Sequence, residues 1–166
     1  MNKNGVTLIE LMVVLAIAGI LAVALGFAYI GWQGAYKVEK ATKEIYSDLT
    51  DARGRAVTRN QEFFLRLLTA RTYNMYADTN GNTTFEIATD APQFATAKTV
   101  EYDMLWNNAA IGGGVTITLD RRGLMTNLGT IRLSTTADAD YDCVIVAQSR
   151  INLGKWNTTT GVCDAK

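Results

Sequence analysis

The chain of 166 residues contains no histidine. That removes the most versatile acid/base at neutral pH and the commonest metal ligand. Metal-dependent hydrolysis and Ser-His nucleophilic chemistry lose their usual foundation. Proline occurs once, at Pro92, which excludes a Pro-rich linker protein. Neither sign of charge is in excess: sixteen basic and sixteen acidic residues give a net charge of zero. Bulk electrostatic attraction to nucleic acid is therefore absent. No paired carboxylates, Ser/Lys dyad or Gly-rich phosphate loop stands out, so the reading is of a non-enzymatic protein with no cofactor.

Cysteine is scarce as well. Cys143 and Cys163 lie near the C-terminus, with a spacing that fits neither a CxxC redox motif nor a zinc site. In a reducing compartment they would be two buried thiols. In an exported protein they read as one disulfide closing a loop of about 20 residues, a closure worth roughly 3 kcal/mol in the chain-entropy model.

The N-terminus decides the class. From Leu11 to Ile30 the chain is apolar, and no charge returns until Lys37. About 20 apolar residues are enough for a helix to cross a bilayer. Tyr29, Trp32 and Tyr36 cluster at the far end, where an aromatic belt would meet lipid headgroups. Lys3 lies on the near side, so the positive-inside rule puts the N-terminus in the cytoplasm and the rest outside. An ordinary signal peptide has a shorter apolar core and a cleavage site after it. A plain signal-anchor accounts for the length and orientation but not for Glu10. A carboxylate one turn into an apolar helix is costly unless paired, and it marks a functional position.

The string Gly5-Val6-Thr7-Leu8-Ile9-Glu10-Leu11 resembles the type IV prepilin signature: a short basic leader, a glycine, a glutamate at the fifth mature position and a long apolar run. The resemblance implies cleavage between Gly5 and Val6 by prepilin peptidase. It implies an N-methylated Val6, although phenylalanine is the usual residue there. It also implies that Glu10 docks the subunit by pairing with the N-terminal amine of a neighbour. The partners implied are other pilin or pseudopilin subunits, the peptidase, an inner-membrane assembly platform, and the lipid bilayer before assembly. The destination is a periplasmic or extracellular filament.

Downstream, Val38, Ala41, Ile45, Leu49, Ala52 and Ala56 recur at helical spacing, with charges mostly on other faces. One helix from about Thr7 to Asn60 is expected, with a bend or local melting where Gly26, Gly31 and Gly34 lower helix propensity. After Asn60 the pattern becomes that of strands: Glu62 to Leu68, Thr72 to Ala77, Thr83 to Ala88, Val115 to Leu119, Thr130 to Ser134, Tyr141 to Ala147 and Arg150 to Trp156. Thr89 to Ala97 reads as a loop. No strand–helix alternation follows, so the fold class is α+β, a long helix packed on an antiparallel sheet. The divisions expected are a leader (1–5), a transmembrane and filament-core helix half (6–36) and a periplasmic head (37–166).

One weaker pattern stands beside these. Asp78-x-Asn80-x-Asn82 resembles the start of a calcium loop, but its sixth position is Thr83 rather than glycine and its twelfth is Thr89 rather than glutamate. A hairpin turn held by Asx side chains is the reading those residues favour.

The segment Ala52-Arg53, Ala56, Arg59-Asn60, with Arg122-Gly123 and Val144-Ile145-Val146 farther on, resembles the GspH/FimT family of minor pilins and pseudopilins. The resemblance implies a priming, tip or initiation subunit of a type IV pilus or a type II secretion pseudopilus. Phe27 stands where many major pilins carry proline, which leans against the alternative of a major pilin. Some FimT proteins bind DNA through a Gly-Arg-x-Arg motif. Ser149-Arg150-Ile151-Asn152 and Lys155 occupy that place here with a single arginine of the motif, so DNA uptake is a minor reading.

Overall fold

The structure, a computed structural model, describes residues 7–166; the side chains of residues 24–28 and 30 lie outside the description. The expected leader (1–5) and the cleavage position at Gly5 and Val6 also lie outside it.

One helix, α1 (Leu8–Arg59), runs for 52 residues. Its start is set by Thr7, an extended N-cap whose hydroxyl accepts a hydrogen bond from the Glu10 amide. Its end is set by Asn60, which takes the left-handed conformation (φ 50°) and donates its amide to the Ala56 carbonyl. Asparagine tolerates that conformation better than most residues. Helical structure is unbroken through Gly26, Gly31 and Gly34, so the expected local melting does not occur. Each glycine costs only about 1 kcal/mol relative to alanine, and α1 contains no proline to remove a hydrogen bond.

Twelve strands follow: β1 (Phe63–Leu67), β2 (Thr72–Ala77), β3 (Ala91–Pro92), β4 (Lys98–Thr99), β5 (Asp103–Trp106), β6 (Ala109–Ala110), β7 (Val115–Leu119), β8 (Met125–Thr126), β9 (Gly129–Ser134), β10 (Cys143–Val146), β11 (Ile151–Asn157) and β12 (Val162–Ala165). They form two antiparallel sheets where one was expected. The first runs β3-β2-β1-β7-β8, with β4 also on β2. The second runs β12-β11-β10-β9-β5-β6.

Side chains alternate across the strands, so Phe63, Leu65 and Leu67 of β1 meet Ile45, Leu49, Ala52 and Ala56 of the helix in one buried core. The second sheet adds Ile131, Leu133, Val144 and Val146 to that core. The opposite face of the first sheet is covered too. Phe85, from the loop between β2 and β3, packs edge-on against Tyr76 (5.0 Å) and Phe64 (5.8 Å).

The expected strand Thr83 to Ala88 does not form. Asp78, Asn80 and Asn82 accept hydrogen bonds from nearby backbone amides and bend the chain into successive turns. The return falls instead on β3 and β4, the first of which lies inside the expected loop Thr89 to Ala97. Pro92 fits there because β3 is an edge strand, where a missing N–H breaks no ladder. Arg121-Arg122-Gly123 forms a turn after β7. The Asp120 carboxylate accepts from the Arg122 and Leu124 amides, and Gly123 takes a φ of 76°.

Cys143 and Cys163 form a disulfide that joins β10 to β12 across β11. The residue beneath the bridge is Gly154. A Cβ there would lie 2.6 Å from the Cys163 sulfur and 2.5 Å from the Asp164 carbonyl oxygen, so only glycine leaves room.

Candidate functional site

The first turn of α1 carries the residue singled out from sequence. Glu10 lies three residues after the cap, and its amide donates to the Thr7 hydroxyl at 3.3 Å. A carboxylate in this turn complements the positive end of the helix dipole. Around it, Leu8 (78% exposed), Ile9, Leu11, Met12, Val13, Val14 and Leu15 are all uncovered. Among the described residues no cation pairs with Glu10. Glu10 is thus a single negative charge on an apolar rod. Once lipid or neighbouring helices cover that rod, the carboxylate needs a cation.

Among the described residues no helix is long and apolar enough to cross a membrane. The apolar run from Leu11 to Ile30 passes through positions whose side chains lie outside the description. Farther along, Tyr29 and Trp32 lie 6.3 Å apart, and Trp32 stacks on Tyr36 at 5.8 Å. All three are exposed, so the aromatic cluster read from sequence is continuous along one side of the helix.

The head begins immediately beyond. Lys37 pairs with Glu101 at 3.1 Å, and Ala137 packs where a Cβ on Gly34 would reach it at 3.6 Å. Deeper in, a polar knot ties α1 to the first sheet. The Tyr73 hydroxyl donates to Asp48 at 2.8 Å, and Lys98 binds Asp48 at 2.8 Å and Glu44 at 2.9 Å. Burial, reinforced by the hydrogen bond to Asp48, holds the Tyr73 phenol protonated far above its ordinary range. Burial works against the charge on Lys98, but the hydrogen bonds to Asp48 and Glu44 outweigh it and raise its pKa. Sequence reading missed this knot. Asp48 was one of the charges on the other faces of the helix, and Tyr73, in a strand that also carries Thr72, Asn74 and Tyr76, gave no hint of a partner.

The remaining candidates separate. Asp78, Asn80 and Asn82 come together at one loop, with Asp78 buried and the two asparagines exposed. Among the described residues no group of three or more His, Cys, Asp or Glu side chains is placed to hold a metal ion. Arg150 is exposed at the β10–β11 turn, where its carbonyl accepts from the Ala147 amide. Lys155 is already paired with Asp138 at 2.6 Å. Arg150 and Lys155 therefore do not form a free basic pair, and the positive charge a phosphate backbone requires is not concentrated there.

A capped helix with an uncovered apolar half and a single first-turn glutamate, joined to a two-sheet antiparallel head, defines a pilin-like filament subunit. Residues 1–26 match the prokaryotic N-terminal methylation motif, and residues 41–149 match the type II transport protein GspH. The second match spans well over half of the chain, and the chain belongs to the GspH family. No curated protein matches it in sequence. Among solved structures it is similar to the minor pseudopilin EpsH from the type II secretion system of Vibrio cholerae. That match has a TM-score of 0.51 at 13% identity and covers 72% of this chain and 94% of that one. A second structure of the same Vibrio cholerae protein gives a TM-score of 0.48 at 13% identity, covering 70% and 94%. At that identity the likeness establishes the fold. Motif and family together make this chain a structural subunit, held at the inner membrane before it joins other pilin-like subunits in a filament.

Proposed function

We propose that this chain is a minor pseudopilin of a type II secretion machine. In this reading a prepilin peptidase removes residues 1–5 by cutting between Gly5 and Val6, and Val6 becomes the methylated N-terminus. Residues 6–36 then hold the subunit in the bilayer and later in the filament core, while residues 37–166 form the periplasmic head. An inner-membrane platform drives assembly.

The observation that carries the reading is the surface of α1. From Leu8 to Val23 its large apolar side chains are uncovered, with Glu10 as the one charge among them. Such a surface must be covered by lipid or by other apolar helices. Within that packing, Glu10 finds its cation in the amine that cleavage creates on a neighbour. A carboxylate and an amine stabilise each other in a low-dielectric core when each supplies the other's missing charge.

The test is Glu10→Ala in the producing cell. The variant is expected to be cut normally, as read by the mass of its N-terminus, and to be missing from sheared filaments. Normal incorporation of that variant would refute the docking role.

A further inference from the structure

We propose that the loop from Asp78 to Asp90 binds one calcium ion. The sequence pattern alone offered Asp78, Asn80 and Asn82 and failed at two positions, and the structure bears on both. Thr83, standing where a calcium loop has glycine, adopts the left-handed conformation that position demands, with a φ of 63°. Thr89 is not the closing acid, but Asp90 follows it directly.

Asp90 is the observation that points to a ligand. It is only 3% exposed, and one carboxylate oxygen, Oδ1, is buried with no hydrogen-bond partner. The other oxygen, Oδ2, accepts from the Glu86 amide at 2.7 Å, so the carboxylate is aimed into the loop. Across from it stands Asp78, also 3% exposed. The two arms are in register, with Ala77 opposite Ala91, and the Thr79 hydroxyl reaches the Thr89 carbonyl at 2.7 Å. Positions 78 and 90 thus lie opposite each other at the mouth of the loop, with the Asp78 oxygens accepting from the Gly81 and Thr83 amides. Neither carboxylate pairs with a cation among the described residues. Like charges directly opposite each other destabilise a strand pair, and buried charges in native proteins are paired or coordinate metals.

The loop's third acid, Glu86, is exposed and accepts from the Asn80 side-chain amide at 2.9 Å, so no all-acid metal cluster forms among the described residues. The other donors are neutral oxygens. Oδ1 of Asn80 and Oδ1 of Asn82 each accept one backbone amide and keep a second lone pair. A ligand set made only of oxygen, part carboxylate and part amide carbonyl, on a turning loop suits calcium. Magnesium demands stricter octahedral geometry and gives up its waters reluctantly. Bound calcium would fix the segment that carries Phe85 over the outer face of the first sheet.

The experiment uses the full chain in detergent micelles, stripped with chelator and titrated with calcium chloride by calorimetry and thermal melting. One ion per chain is expected, with a Kd on the order of 10⁻⁴–10⁻³ M. The melting midpoint should rise about 3–6 °C at tenfold excess over Kd. Asp90→Asn keeps the shape and removes the charge. It should weaken binding at least about tenfold, while its calcium-free midpoint equals or exceeds that of the parent chain. If Asp90→Asn fails to fold by circular dichroism, the exposed Asn80→Ala decides, with the same tenfold loss expected. Absence of any heat or shift with the parent chain at 10 mM calcium overturns the proposal. So does unaltered binding by the deciding variant, or an equal response to magnesium.

Discussion

The two halves of α1 share one backbone and present opposite surfaces. From Leu8 to Val23 the large apolar side chains are uncovered. From Val38 to Ala56 the apolar stripe is buried against both sheets, and charged residues occupy the other faces. The difference lies in periodicity rather than in hydrophobic content. A stripe repeating every three or four residues gives one face to the head and leaves the rest to water. An all-round apolar surface has no inward side, so its cover has to come from outside the chain. The buried half therefore holds the fold together, and the uncovered half, in the function proposed above, holds subunits together.

Substitution along the helix separates the two roles, read by urea unfolding of the full chain in detergent. Leu49→Ala should cost about 2–5 kcal/mol, because Leu49 is fully buried where helix and sheet meet. Leu15→Ala should change the same measurement by no more than about 0.5 kcal/mol. A large effect at Leu15 would break the division, since it would mean that the head leans on the projecting half. Replacing Cys143 and Cys163 together by serine should cost about 3 kcal/mol of head stability and leave the helix content of the projecting half unchanged by circular dichroism. Tyr73→Phe should cost about 1.5–3 kcal/mol, because it removes a hydrogen bond to the charged Asp48 from the knot that clamps α1 to the head.

The smallest effect is one of pH. Tyr73 and Lys98 both hold their protons more tightly in the folded chain than their ordinary values of 10.0 and 10.5. A group whose pKa rises on folding contributes fully below its unfolded pKa and loses that contribution as pH climbs toward the folded one. The head should therefore keep its melting midpoint to about pH 10 and lose it progressively above, and Tyr73→Phe should flatten that slope. An equally steep alkaline loss in the variant would move the cause away from the knot.

The helix was legible almost to the residue because its signals are local. Thr7 offers a hydroxyl one residue before the apolar run, and Asn60 is a residue type that tolerates the left-handed stop. Strands with several consecutive apolar or β-branched residues, such as β1, β2, β7 and β10, were also visible. The short strands β3, β4, β5, β6, β8 and β12 were not. Their two to four residues carry too little alternation to register, and it is their partners in the sheets that make them strands. The division into two sheets was hidden for the same reason, since strand order depends on distant pairings. At the candidate positions, Glu10 stood out because a charge in an apolar run contradicts its surroundings. Tyr73, Lys98 and Asp90 did not, because each is ordinary in sequence and acquires its role only from a residue brought near by folding.

The disulfide over Gly154 bears on how heads can meet. β12 lies at the edge of the second sheet, a position from which strands are readily traded between identical subunits. With Cys163 bonded to Cys143 across β11, this strand stays tied to its own chain. Heads crowded together at the membrane are thereby barred from swapping this edge strand. Each subunit enters the filament as a topologically closed unit, and neighbours can associate and separate without unthreading one another.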